Sequence, residues 1–130
     1  MVAIYKLMIV DDERIVRQGL VNIIPWQNLG FQVVAEAASF KDALKCAQKT
    51  PPDVLLTDIR LQDGSGLDLI IQLQRELPSL RSVIISGYSE FDYAVRALQL
   101  RVEDYILKPI DPDVSQSVFQ RIANSISEDT

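Results

Sequence analysis

A chain of 130 residues with 48% apolar and 24% charged residues has the composition of one ordinary globular domain. Its 13 Lys and Arg stand against 18 Asp and Glu, a formal net charge of −5, which argues against a direct grip on nucleic-acid phosphates. It has no histidine and one cysteine, Cys46, so a Ser-His-Asp triad, a His-ligated zinc and an internal disulfide are excluded.

In chain order, short apolar runs alternate with amphipathic stretches. Met1 to Lys6 reads as the lead-in to a strand, not as a signal peptide. No apolar run nears the ~20 residues of a membrane span, so no membrane partner and a cytoplasmic location are expected. A first strand is predicted over Tyr5–Val10 and a first helix over Glu13–Ile24, with Ile15, Val16, Leu20, Ile23 and Ile24 on its inward stripe. Pro25 stops that helix. Trp26 and Leu29-Gly30 turn the chain into a second strand, Phe31–Ala37. Ser39 is positioned to cap a helix over Phe40–Gln48, and Pro51-Pro52 breaks it. A third strand follows over Val54–Thr57, then a turn at Asp63-Gly64 and a helix over Gly66–Glu76 ended by Pro78. A fourth strand over Ser82–Ile85 precedes a helix over Glu90–Leu100 capped by Ser89. A fifth strand over Asp104–Leu107 precedes a helix over Asp113–Ile126. Five strands alternating with five helices predict a doubly wound α/β domain with a parallel sheet. The domain is expected over 1–126, with 127–130 a frayed polar tail that would open a linker to an output domain.

Polar residues sit where the apolar runs end: Asp11 and Asp12, then Asp58, Ser86 and Lys108. In an open parallel sheet the carboxyl ends of the strands share one rim, where ligands bind. Taken singly, each residue has a plain structural reading. Asp11 and Asp12 suit a helix N-terminus, Asp58 and Ser86 suit turns, Lys108 suits an exposed site, and Tyr105 suits a strand. Taken together they form a chemical set. Two adjacent acids and a third from another strand suit a hard cation such as magnesium, with the Arg60 backbone carbonyl as a further ligand. A carboxylate such as Asp58 can attack phosphorus. Lys108 would offset phosphoryl charge and Ser86 would donate to a phosphate oxygen. Lys108 precedes Pro109, a bond open to the cis form.

The segments Met8-Ile9-Val10-Asp11-Asp12-Glu13, Leu55-Leu56-Thr57-Asp58-Ile59-Arg60, Ile84-Ile85-Ser86-Gly87-Tyr88 and Asp104-Tyr105-Ile106-Leu107-Lys108-Pro109 resemble the receiver domain of bacterial two-component response regulators. The resemblance covers essentially the whole chain. It implies a flavodoxin-like sheet of order 2-1-3-4-5. It implies Asp58 as phosphoacceptor, Asp11 and Asp12 as magnesium acids (with manganese as a substitute ion), Ser86 as switch hydroxyl, Tyr105 as switch aromatic and Lys108 as the site lysine. Arg60 and Tyr88 would flank the pocket and tune the lifetime of the phosphoryl group. Pro25-Trp26, Leu29-Gly30-Phe31 and the stretch from Ser86 to Ala94 resemble receivers attached to AraC-type helix-turn-helix regulators.

The implied function is a magnesium-dependent phosphoacceptor, not an enzyme with a turned-over substrate, served by a sensor histidine kinase. Phosphorylation would repack the face from Glu90 to Ile126, a candidate homodimer surface, and DNA would be reached only through an output domain. Two other classes compete: an interaction module that has dropped phosphorylation, and a magnesium-dependent phosphohydrolase. Arg60 stands where haloacid-dehalogenase-type hydrolases place a second Asp, which counts against the latter. One segment departs from the family pattern. Gln62 replaces a proline, and Gly64 and Ser65 replace a Met-Asp pair, changes expected to loosen the loop.

Overall fold

In the computed structural model, which describes residues 4–87 and 99–129, five parallel strands form one sheet. Elements in chain order are β1 (Tyr5–Val10), α1 (Arg14–Ile23), α2 (Trp26–Leu29), β2 (Phe31–Ala37), α3 (Phe40–Lys49), β3 (Val54–Asp58), β4 (Arg60–Leu61), β5 (Gly64–Ser65), α4 (Gly66–Glu76), β6 (Arg81–Ser86), β7 (Asp104–Leu107) and α5 (Pro112–Asp129). The sheet order is β2-β1-β3-β6-β7, and every pairing within it is parallel. This is the expected 2-1-3-4-5 arrangement. The helix expected over 90–100 and the pocket residue Tyr88 lie outside the described residues, apart from the last positions of that helix. No helix among the described residues is long and apolar enough to cross a membrane.

The central strands are buried on both faces, as strands of a covered parallel sheet must be. One core lies under α1, α2 and α5 and contains Leu7, Ile9, Trp26, Phe31, Leu56 and Phe119. The other lies under α3 and α4 and contains Met8, Val10, Leu55, Leu67, Ile70 and Leu73. Alternate residues of β1 therefore feed opposite cores, which follows from the two-residue period of a strand.

The helix expected over Glu13–Ile24 is shorter and differently phased. Val16, Leu20 and Ile24 face inward, whereas Ile15 is 86% and Ile23 61% exposed. Residues 16, 20 and 24 form one i, i+4 row, and 15, 19 and 23 form the next row outward. The turn expected at Trp26–Leu29 is a short helix, closed by Gly30 at φ 93°, a left-handed conformation suited to glycine. The fourth strand gains a residue at each end, becoming Arg81–Ser86. The final helix continues to Asp129 instead of stopping at Ile126.

The segment between Asp58 and Gly66, expected as a loop with a turn at Asp63-Gly64, carries two short strands. Arg60 and Leu61 pair antiparallel with Ser65 and Gly64 in a small hairpin. The Asp63 carboxylate at its turn accepts hydrogen bonds from the backbone N–H groups of Phe40 (2.7 Å) and Lys41 (3.1 Å) at the start of α3. Ser65 then caps α4 by accepting from the Leu67 N–H at 3.1 Å.

Candidate functional site

The strand register aligns Val10, Thr57, Ile84 and Tyr105 in one row across four strands. One residue further along, Asp11 and Asp58 emerge side by side at the rim. Ladder-like hydrogen bonds continue past the strand ends, from Asp11 N–H to the Ala37 carbonyl (3.1 Å) and from Lys108 N–H to the Ser86 carbonyl (2.8 Å). These fix the direction in which the polar side chains leave the sheet. The Lys108–Pro109 peptide bond is cis.

Lys108 Nζ donates to Asp58 Oδ2 at 2.7 Å and lies 3.4 Å from Asp11 Oδ2 and 3.6 Å from Glu13 Oε1. Asp58 Oδ1 accepts from the Arg60 backbone N–H at 3.2 Å. Asp11 Oδ1 accepts from the Glu13 N–H at 2.8 Å, and the Asp11 carbonyl accepts from Arg17 Nη1 at 2.7 Å. Burial pushes the Asp11 carboxyl up to about 6, reinforced by the nearby Asp58 charge and opposed by the Glu13 N–H bond and by Lys108. Burial lowers the Lys108 ammonium, but the Asp58 hydrogen bond and the charges of Asp11, Asp58 and Glu13 outweigh it, so the group lies above the ordinary lysine range.

Asp11, Asp12, Glu13 and Asp58 can each present one carboxylate oxygen within 4.8 Å of the others. Asp11 Oδ2 is buried and has no hydrogen-bond partner. Hard oxygen donors converging on one spot, one of them buried with only the Lys108 ion pair to offset its charge, fit a divalent cation such as magnesium. Glu13 is the member that the sequence reading of the acids left out. Its signal was its place directly after Asp11-Asp12, read there only as the start of a helix.

Ser86 and Tyr105 lie on neighbouring strands, and their hydroxyls are hydrogen-bonded to each other. Ser86 is 1% exposed, so its hydroxyl is directed within the fold. Arg60 has an exposed side chain at the mouth of the site, while its backbone faces Asp58. The structure thus brings Asp11, Asp12, Asp58, Lys108 and the Arg60 backbone N–H together, and bonds Ser86, at the end of β6, to Tyr105 of the neighbouring β7.

The model of the response regulator receiver domain family matches residues 7–120. The chain belongs to the receiver-domain family. A transcriptional regulatory protein, HptR of Staphylococcus aureus (strain N315), is 35% identical over 124 residues, covering 95% of this chain and 48% of its own. The transcriptional regulatory protein YesN of Bacillus subtilis (strain 168) is 32% identical over 95% of this chain and 33% of its own length. This receiver therefore spans a third to a half of the curated relatives it matches. Among solved structures, the receiver domain of AraT, a response regulator from Geobacillus stearothermophilus, superposes with a TM-score of 0.92 at 36% identity, covering 99% of this chain and 98% of that one. The two-component transcriptional regulator AraC from Clostridium phytofermentans ISDg gives 0.87 at 32% identity, covering 95% and 96%. Receiver domains are phosphoacceptor signalling domains that bind magnesium at an acidic pocket and work with sensor histidine kinases, so the acid cluster of this receiver has a family-wide counterpart.

Proposed function

We propose that this receiver accepts a phosphoryl group on Asp58 from a phosphohistidine of a sensor kinase and uses it to switch a transcriptional output. The observation that carries the reading is Lys108 Nζ at 2.7 Å from Asp58 Oδ2 inside a cluster of four acids. A carboxylate in that setting is a nucleophile whose charge, and whose product's charge, is already matched by a fixed ammonium.

In the transfer, an Asp58 oxygen forms the new O–P bond while the P–N bond to the histidine breaks. The bonding electrons return to the imidazole nitrogen, which takes up a proton. Asp11, Asp12 and Asp58, with the Arg60 carbonyl, would hold magnesium, which when bound stabilises negative charge on the phosphoryl oxygens. Lys108 shifts from the Asp58 carboxylate to the phosphoryl group. The Ser86 hydroxyl leaves Tyr105 to donate to a phosphoryl oxygen, and the released Tyr105 ring turns toward the interior. This biases a two-state equilibrium of the face built on residues 90–126, the surface we assign to homodimerisation and output. Arg60 and Tyr88 set how fast water removes the phosphoryl group. DNA is contacted by an output domain and not by this acidic domain, in keeping with relatives that are named transcriptional regulators.

Intact mass spectrometry after incubation with magnesium and acetyl phosphate tests the assignment. Wild type should gain one phosphoryl group and Asp58→Ala none. A phosphoryl group on Asp58→Ala would remove Asp58 from the role.

A further inference from the structure

The hairpin that follows Asp58 is held from outside the site by a side chain with no place in the proposed chemistry. Asp63 sits at the hairpin turn and accepts from the first two N–H groups of α3, Phe40 and Lys41. Ser39 Oγ takes the third, from Asp42 at 3.0 Å, and the Ala43 N–H reaches the Ser39 carbonyl at 3.0 Å. The Ala43 bond is the first within the helix, so three of the N–H groups that a helix start leaves open, those of Phe40, Lys41 and Asp42, are shared between Asp63 of the hairpin and Ser39. Gly64 lies against the Phe40 ring so closely that a Cβ there would come within 2.9 Å of Cδ2. At its other end the hairpin touches the site, where the Arg60 N–H holds Asp58 Oδ1 at 3.2 Å. The same segment lacks a proline at position 62 that would restrict the backbone.

We infer that Asp63 is a positioning residue for the cation site, anchoring the hairpin to α3 so that the Arg60 backbone stays fixed on the Asp58 carboxylate. The anchor does by hydrogen bonding and contact what a stiffer loop would do by limiting dihedral freedom. The inference rests on the proposed use of the acid cluster for magnesium. Asp63 acts through Arg60 and does not touch the ion.

The test is magnesium affinity by isothermal titration calorimetry in the absence of phosphodonor, on wild type, Asp63→Ala, Asp63→Asn and Gly64→Ala. Asp63→Ala removes both acceptors, and Gly64→Ala pushes the hairpin off Phe40 without changing charge. Each should weaken magnesium binding about tenfold, at the low end of losses seen when outer partners of ligands are removed. Asp63→Asn keeps one acceptor and loses the charge, and should stay closer to wild type. Amide NMR shifts of Phe40 and Lys41 should move in Asp63→Ala and less in Asp63→Asn. Equal losses in Asp63→Ala and Asp63→Asn with none in Gly64→Ala would mean that only the carboxylate's charge matters, overturning the anchor. Unchanged affinity in Asp63→Ala, with wild type binding well, would overturn it while leaving the cation site standing. A wild type that binds no magnesium would remove the cation site and the anchor with it.

Discussion

Among the described residues, Asp11 is the one whose chemistry is most displaced by its surroundings. It is fully buried, and its carboxyl lies near 6 instead of the ordinary 3.8. Between those values the folded, metal-free protein holds a proton that the unfolded chain has released. The group's contribution to stability is therefore greatest below the unfolded value and falls as pH rises to about 6, above which the buried charge is carried in full. Asp11→Asn should consequently stabilise the metal-free domain by roughly 2 kcal/mol at about pH 7.5 and by little at about pH 4, read from urea unfolding followed by circular dichroism. A benefit of equal size at both values would show that the gain is not protonic. Because a ligand carboxylate must be ionised, magnesium binding near pH 6 should also release protons. Calorimetric heats that do not vary between buffers of different ionisation enthalpy would contradict this.

The elements that carry the site are joined by close backbone approaches. Gly66 opens α4, and a Cβ there would lie 2.0 Å from the Asp58 carbonyl oxygen. Gly66→Ala should therefore displace the end of β3 or the start of α4 and cost roughly 2 kcal/mol or more in chemical unfolding. It should also slow phosphorylation, and wild-type stability in that variant would refute the packing argument. The strands and their polar ends are legible in the sequence because a buried parallel strand is an uninterrupted apolar run, and the first polar residue after it must lie at the rim. Asp11, Asp58, Ser86 and Lys108 are found that way. The phase of α1 is less legible, since Ile15 and Val16 are equally apolar and only packing against Leu20 and Ile24 decides which turns inward. The hairpin at Arg60–Ser65 is least legible. Asp63 and Gly64 signal a turn, but the partners that steady it, Phe40 and Lys41, come from a helix 22 or 23 residues earlier. Loop rules based on neighbouring residues cannot see such a bond.

At the scale of the whole molecule, the rim concentrates charge. Four acids stand there, three of them paired with Lys108, in a chain whose formal net charge is −5. Magnesium at 100 times its dissociation constant should add about 2.7 kcal/mol to stability, seen as a rise in Tm of several degrees by calorimetry, with a smaller rise in Asp58→Ala. Identical shifts in both proteins would move the ion away from Asp58. On the far face of the sheet, Phe119 is fully buried against Trp26, with ring centres 4.7 Å apart, and against Phe31 at 5.6 Å. Phe119→Ala should cost about 3–5 kcal/mol in urea unfolding. Trp26 is also the chain's one tryptophan, 5% exposed, with its Nε1 donating to the Leu20 carbonyl. A lone indole in that setting gives the protein a built-in optical gauge. Its emission is blue-shifted while the aromatic cluster is closed and moves to the red when water reaches it, so one wavelength reads the integrity of this layer without any added dye.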